Sequence, residues 1–127
     1  MIRGLDSVLL FSENAAKLAK FYKEKVGLKP TGEFEMGDKA EEAYMYDWKG
    51  HGSLGIIDHS KLKGKNKTPQ RMLINLEVDD IKKEVKRLDL AKVKKIRDTY
   101  HLEGYGWIAT FEDVDGNYFQ LVQVRPS

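Results

Sequence analysis

Moved forward by 66 positions, the start of this chain falls onto its second half: Ser7 lands on Leu73, and Ala15, Ala19 and Tyr22 land on Ile81, Val85 and Leu88. The last three are positions of one helix face, because side chains three and four apart stand on the same side of a helix. The agreement predicts two copies of one unit, each a strand, a helix and three further strands. In such a unit the helix covers one face of the sheet and leaves the other bare. The expected fold is α+β: two tandem βαβββ modules whose curved sheets enclose a cleft of a kind that takes a small molecule.

Local signals place the elements. Ser7 to Phe11 is a short apolar run and reads as a buried strand. Asn14 can cap the helix that follows and Gly27 can stop it. Lys29 to Met36, Ala43 to Trp48 and Ser53 to Ile57 read as strands, with Gly37-Asp38 as the turn between the first two. After a polar, lysine-rich stretch over 58–70, Met72 to Val78 is the next strand, and Asp79-Asp80 opens a helix carrying Ile81, Val85 and Leu88. Val93 to Thr99, Gly106 to Phe111 and Asn117 to Val124 complete the second unit, with Asp115-Gly116-Asn117 turning the last hairpin. The expected division is a first module over 1–60, a basic linker over 61–70 and a second module over 71–127, within one domain of 127 residues.

Composition narrows the chemistry. With no cysteine, disulfides, thiolate catalysis and cysteine-ligated zinc are excluded. The lysine runs at Lys61–Lys67 and Lys92–Lys95 have no aromatic residue within them, and a net charge of only +2 shows acidic residues nearly balancing them. They read as solvated surface, so no nucleic-acid partner is expected. No basic start precedes a long apolar run and no stretch is long enough to span a membrane, which gives a cytoplasmic expectation without membrane association.

The order of motifs resembles the vicinal oxygen chelate superfamily, the glyoxalase, bleomycin-resistance and extradiol dioxygenase group. Leu5-Asp6-Ser7-Val8-Leu9-Leu10 is similar to its first strand, and Phe21-Tyr22 with Val26-Gly27-Leu28 to its "FYxxxLGL" helix end. Leu76-Glu77-Val78-Asp79-Asp80 is similar to its fifth strand entering the second helix. Phe111-Glu112-Asp113-Val114-Asp115-Gly116-Asn117 is similar to its "DPDGN" turn, with Val114 in place of proline. The resemblance implies a homodimer. It also implies that a metal-dependent member would draw its ligands from the positions of Ser7, Gly55, Leu73 and Gln120. The family's metal enzymes carry histidine or glutamate there. Serine, glycine, leucine and glutamine are poor or impossible ligands for such an ion, so no metal and no cofactor are expected.

The candidate ligand-binding residues are Ser7, Leu9, Tyr46, Trp48, Gly55, Leu73, Asn75, Trp107, Tyr118 and Gln120; no catalytic residue is assigned. Ser7 either hydrogen-bonds a ligand, having one donor and two lone pairs, or is simply a small residue at a crowded strand start. Tyr44, Tyr46 and Trp48 alternate and are expected to share a face; with Trp107 and Tyr118 they either stack a flat ligand or pack a core. Asn75 and Gln120 are either satisfied internally or open to a ligand, and Glu77 is either a cleft acid or an exposed strand end. Asp79 and Asp80 read as helix caps, Glu112, Asp113 and Asp115 as turn residues, and His51, His59 and His101 as surface. Two functions follow: a metal-free protein that sequesters a small organic or aromatic molecule, or a lyase, isomerase or oxygenase of the same family with an atypical active site.

Overall fold

The computed structural model describes residues 1–36, 39 and 41–124, so the expected Gly37-Asp38 turn lies outside the described residues. The chain divides into two compact units, Met1–Gly64 and Lys65–Ser127. The first unit runs β1 (Ser7–Ser12), α1 (Ala15–Phe21), a π-helical turn (Tyr22–Val26), β2 (Gly32–Met36), β3 (Glu41–Asp47) and β4 (Ser53–Asp58). The second runs from a single 3₁₀ turn (Pro69–Arg71) to β5 (Leu73–Glu77), α2 (Ile81–Leu90), β6 (Lys94–Leu102), β7 (Gly106–Glu112) and β8 (Tyr118–Gln123). Each unit holds a four-stranded sheet, ordered β1-β4-β3-β2 and β5-β8-β7-β6, with the outer pairs β1–β4 and β5–β8 parallel.

The two helices begin in the same way. The Asn14 side chain accepts from the Lys17 backbone N–H at 3.1 Å and the Asp80 side chain from that of Lys83 at 3.2 Å. Each thus satisfies a donor that the first helical turn cannot. Tertiary acceptors reinforce both starts, Asp58 Oδ1 for the Ala15 N–H and Gln123 Oε1 for the Ile81 N–H. The first helix ends where predicted, at Gly27 with φ +88°, but through a π turn whose Tyr22 carbonyl accepts from the Leu28 N–H.

Strand register decides which face each side chain occupies. In the first sheet Leu10, Leu54, Ile56 and Tyr46 lie on the face covered by α1, and all four are buried with Leu18 and Tyr22. In the second sheet Ala109, Phe111, Phe119 and Leu121 do the same under α2, with Ile81, Val85 and Leu88 from the helix. The Phe111 and Phe119 rings stack with centroids 5.9 Å apart. Burying such aromatic and aliphatic side chains is the main favourable term in the stability of each unit.

The loop between β7 and β8 is organised from inside. Asp113 is buried; its Oδ1 accepts the backbone N–H groups of Asp115 (2.9 Å) and Asn117 (3.0 Å), and its Oδ2 accepts the Asn117 amide (3.1 Å). Glu112, read from sequence as a turn residue, is instead the last residue of β7. Asn66 ties the preceding segment to this loop through the Asp115 carbonyl (2.7 Å) and the Asn117 side chain (3.0 Å). Among the described residues no helix is long and apolar enough to cross a membrane.

Candidate functional site

The faces away from the helices are where the two units differ. In the first unit the helix-free face is built of three rows across β1, β4 and β3. Ser7 pairs with Ser53 and Ser53 with Asp47; Leu9 pairs with Gly55 and Gly55 with Met45; Phe11 pairs with Ile57 and Ile57 with Ala43, which also faces Phe34 of β2. The face therefore grades from polar to apolar. At the polar end the Ser53 hydroxyl donates to Asp47 Oδ1, and Thr31 Oγ1 lies 3.0 Å from Asp47 Oδ2. These hydrogen bonds, Ser53 first and Thr31 second, hold the Asp47 carboxyl below the usual carboxylate value. At the apolar end Leu9, Phe11 and Phe34 are 39, 43 and 48% exposed, unusual for three large apolar side chains on one sheet face. The His59 ring meets Phe11 edge-on at 5.5 Å.

Gly55 has a packing reason to be glycine. A methyl group there would sit 2.7 Å from Leu9 Cδ2 and 2.8 Å from Met45 Sδ, so both side chains lean over its bare backbone.

In the second unit the middle row of the corresponding face is polar. Leu73 pairs with Tyr118 and Tyr118 with Glu112; Asn75 pairs with Gln120 and Gln120 with Thr110; Glu77 pairs with Val122 and Val122 with Ile108. Gln120 Nε2 donates to Thr110 Oγ1 at 3.0 Å, which fixes the amide and leaves its Oε1 as an acceptor. Asn75 is exposed and makes no side-chain hydrogen bond to a described residue. Lys94 reaches Glu112 at 3.6 Å, and the Arg97 guanidinium lies 3.5 Å from the centre of the Tyr100 ring.

The register places Ser7, Leu9 and Gly55 on one helix-free face, and Leu73, Asn75, Tyr118 and Gln120 on the other. Three expected site residues lie elsewhere. Tyr46 pairs with Leu54 and sits under α1, 1% exposed, so its ring is core; burial first, then the nearby Tyr44 and Glu33, push its hydroxyl up to about 12. Trp48 lies beyond the end of β3, in the loop whose His51 N–H bonds the Trp48 carbonyl, and so shares no strand face with Tyr44 and Tyr46. Trp107 pairs with Gln123 and falls on the helix side of its sheet, opposite in parity to Tyr118. Alternation told which residues share a face; only the pairing partners tell which face it is. Ser53, Asp47 and Thr110 were missed because their partners are set by hairpin register, which no single-residue signal in the sequence announces.

Among the described residues no three His, Cys, Asp or Glu side chains gather into a group that could hold a metal ion. The donor chemistry at Ser7, Gly55, Leu73 and Gln120 does not fit a divalent cation either. Gly55 has no side chain, Leu73 no donor atom, and the Gln120 amide is neutral and engaged with Thr110.

A model of the Glyoxalase/Bleomycin resistance protein/Dioxygenase superfamily matches residues 4–121. Among solved structures the chain is similar to a glyoxylase/bleomycin resistance protein/dioxygenase domain from Frankia sp. EAN1pec, with a TM-score of 0.75 and 18% identity over 98% of this chain and 100% of that one. It is similar to the fosfomycin resistance protein FosX from Listeria monocytogenes, with a TM-score of 0.68 and 17% identity over 98% and 96%. It is also similar to a glutamate-to-glutamine variant of glyoxalase I from Zea mays, with a TM-score of 0.73 and 18% identity over 95% of this chain and 45% of that one. At these identities the likenesses speak to the fold alone. No curated protein matches the sequence significantly.

Proposed function

The chain belongs to the glyoxalase/bleomycin resistance protein/dioxygenase superfamily, and from that premise we propose that it binds a small organic molecule on the helix-free faces of its sheets without the aid of a metal ion. The observation that carries this reading is the chemistry of the faces. The first offers exposed Leu9, Phe11 and Phe34 beside an ionised Asp47 and two serines; the second offers Asn75, the Gln120 carbonyl oxygen and the Tyr118 ring. Apolar area to hold a ligand body and a few fixed polar groups to orient it are what small-molecule sites share. The four family ligand positions supply no charge that would retain a divalent ion.

One observation favours a second reading, that of an enzyme with an atypical site. Asp47, kept ionised by Ser53 and Thr31, is a fixed negative charge at the edge of an apolar face and can stabilise positive charge that develops on a bound molecule.

Calorimetric titration with a panel of apolar and aromatic compounds tests the proposal. A compound that binds should lose about fivefold in affinity in each of Leu9→Ala and Phe11→Ala, as expected for single apolar or aromatic contacts. Turnover of the compound, abolished by Asp47→Asn, would replace the binding reading with the enzyme reading. Affinity unchanged by every substitution on both helix-free faces would overturn both.

A further inference from the structure

The aromatic residue that left the expected site has a site of its own. Trp107 is 46% exposed and lines a solvent-open pocket of about 440 Å³ at the far end of the β6–β7 hairpin, together with His101, Tyr105, Gln123 and Val124. That volume is in the range of cavities that hold small ligands. His101, Trp107 and Gln123 are register partners across β6, β7 and β8, so they form one row on the helix side of the second sheet. The His101 and Trp107 rings lie 4.7 Å apart, tilted by 50°.

The row's inner end is held in place. Gln123 Oε1 accepts the Ile81 N–H at the start of α2, at 2.8 Å. A backbone N–H can only donate, so the amide oxygen must face the helix and the amide nitrogen must face away from it. The Gln123 nitrogen makes no hydrogen bond to a described residue, and neither do the Trp107 indole N–H, the Tyr105 hydroxyl or the His101 ring. The hairpin backbone forms one wall of the pocket at Gly106, whose φ of +148° and close approach to the Gln123 carbonyl leave no room for a side chain. A flat aromatic wall thus stands beside an amide nitrogen and an indole N–H, both of which can only donate.

We propose that this cavity is a second ligand site, distinct from the helix-free faces, for a neutral planar aromatic molecule that carries a carbonyl acceptor. The rings of Trp107 and Tyr105 stack on the ligand's plane, and the Gln123 amide donates to its carbonyl. The donors favour an acceptor over a ligand that only donates, and the described lining residues include no carboxylate, lysine or arginine.

The test uses the full chain labelled with ¹⁵N and coumarin, a planar lactone, as the probe. The chain has two tryptophans, so the Trp48 indole N–H is an internal control for Trp107. Coumarin should move the Trp107 indole and Gln123 side-chain resonances together and leave the Trp48 indole and the Gly55 amide in place. Trp107→Ala should weaken binding by about tenfold, as loss of a principal aromatic contact does. Gln123→Glu keeps an acceptor for the Ile81 N–H, so the fold is retained, but removes the donor. It should weaken coumarin by about fivefold and leave naphthalene, which has no carbonyl, unchanged. Shifts confined to Gly55, Asn75 and Gln120 would overturn the second site while leaving the helix-free faces standing. No shift up to the solubility limit, or equal affinity in Trp107→Ala, would overturn it as well. So would Trp107 shifts that depend on protein concentration without any probe, which would make the surface a contact between copies.

Discussion

The two units share a topology and a register, yet the middle rows of the faces their helices leave open differ in chemistry. Leu9 opposite Gly55 in the first unit occupies the place of Asn75 opposite Gln120 in the second. On the helix sides the pattern is alike: an Asx cap, a tertiary acceptor for the first helical N–H, and an aromatic-rich layer under the helix. The helix-covered faces are thus alike while the open faces diverge, even though Ala43, Ile57, Ile108 and Val122 on the open faces are buried too. This divergence also explains why the repeat shows in the helix positions and fades along the strands.

The sharpest way to break this comparison is to truncate a large side chain on each kind of face. Phe119→Ala, on the helix side, should cost about 3–5 kcal/mol in urea unfolding, whereas Phe11→Ala, on the open face, should cost under about 1 kcal/mol. Equal costs would mean that the open face is part of the folding core. The hairpin loops give the next largest contrast. Asp113→Ala strands three part-buried donors of the β7–β8 loop and should cost about 2–3 kcal/mol. His51→Ala, in the exposed β3–β4 loop, should stay within about 0.5 kcal/mol.

The helix caps sharpen the likeness instead. Asn14→Ala and Asp80→Ala should each cost about 1 kcal/mol, and by similar amounts. Tyr46→Phe has a small effect of the opposite sign at neutral pH. Its hydroxyl is the one buried side-chain polar atom without a hydrogen-bond partner among the described residues, so removing it should be neutral or stabilising by up to about 1 kcal/mol. The sign reverses nothing below pH 10, the ordinary tyrosine value, where the group is protonated folded and unfolded alike. As pH rises from 10 to about 12 the unfolded chain ionises first, so the wild type loses stability across that window. Alkaline unfolding of Tyr46→Phe should show a shallower loss over the same window, and an identical slope would show that Tyr46 does not titrate there.

Much of the fold was legible because helix-face spacing and caps are local signals. Asn14, Gly27, Ile81, Val85 and Leu88 each do what their positions in sequence suggest. The site was less legible because a face is fixed only when strands pair. Tyr46 and Gly55 are on adjacent strands, and a difference of one in register puts the tyrosine in the core and the glycine on the open face. The same parity separates Trp107 from Tyr118. The Ser53–Asp47 and Gln120–Thr110 pairs join residues whose strands meet only after folding, and the Gln123 amide is oriented by a helix start 42 residues away.

The most direct measurement is the metal content of protein purified without an affinity tag or chelator, followed by melting with added zinc, nickel, manganese or ferrous iron. Faces lacking histidine and carboxylate at the family's ligand positions predict near zero divalent ions per chain and no rise in Tm, because a retained ion would stabilise the folded state. An ion at about one per chain, with a matching rise in Tm, would contradict a metal-free binding face.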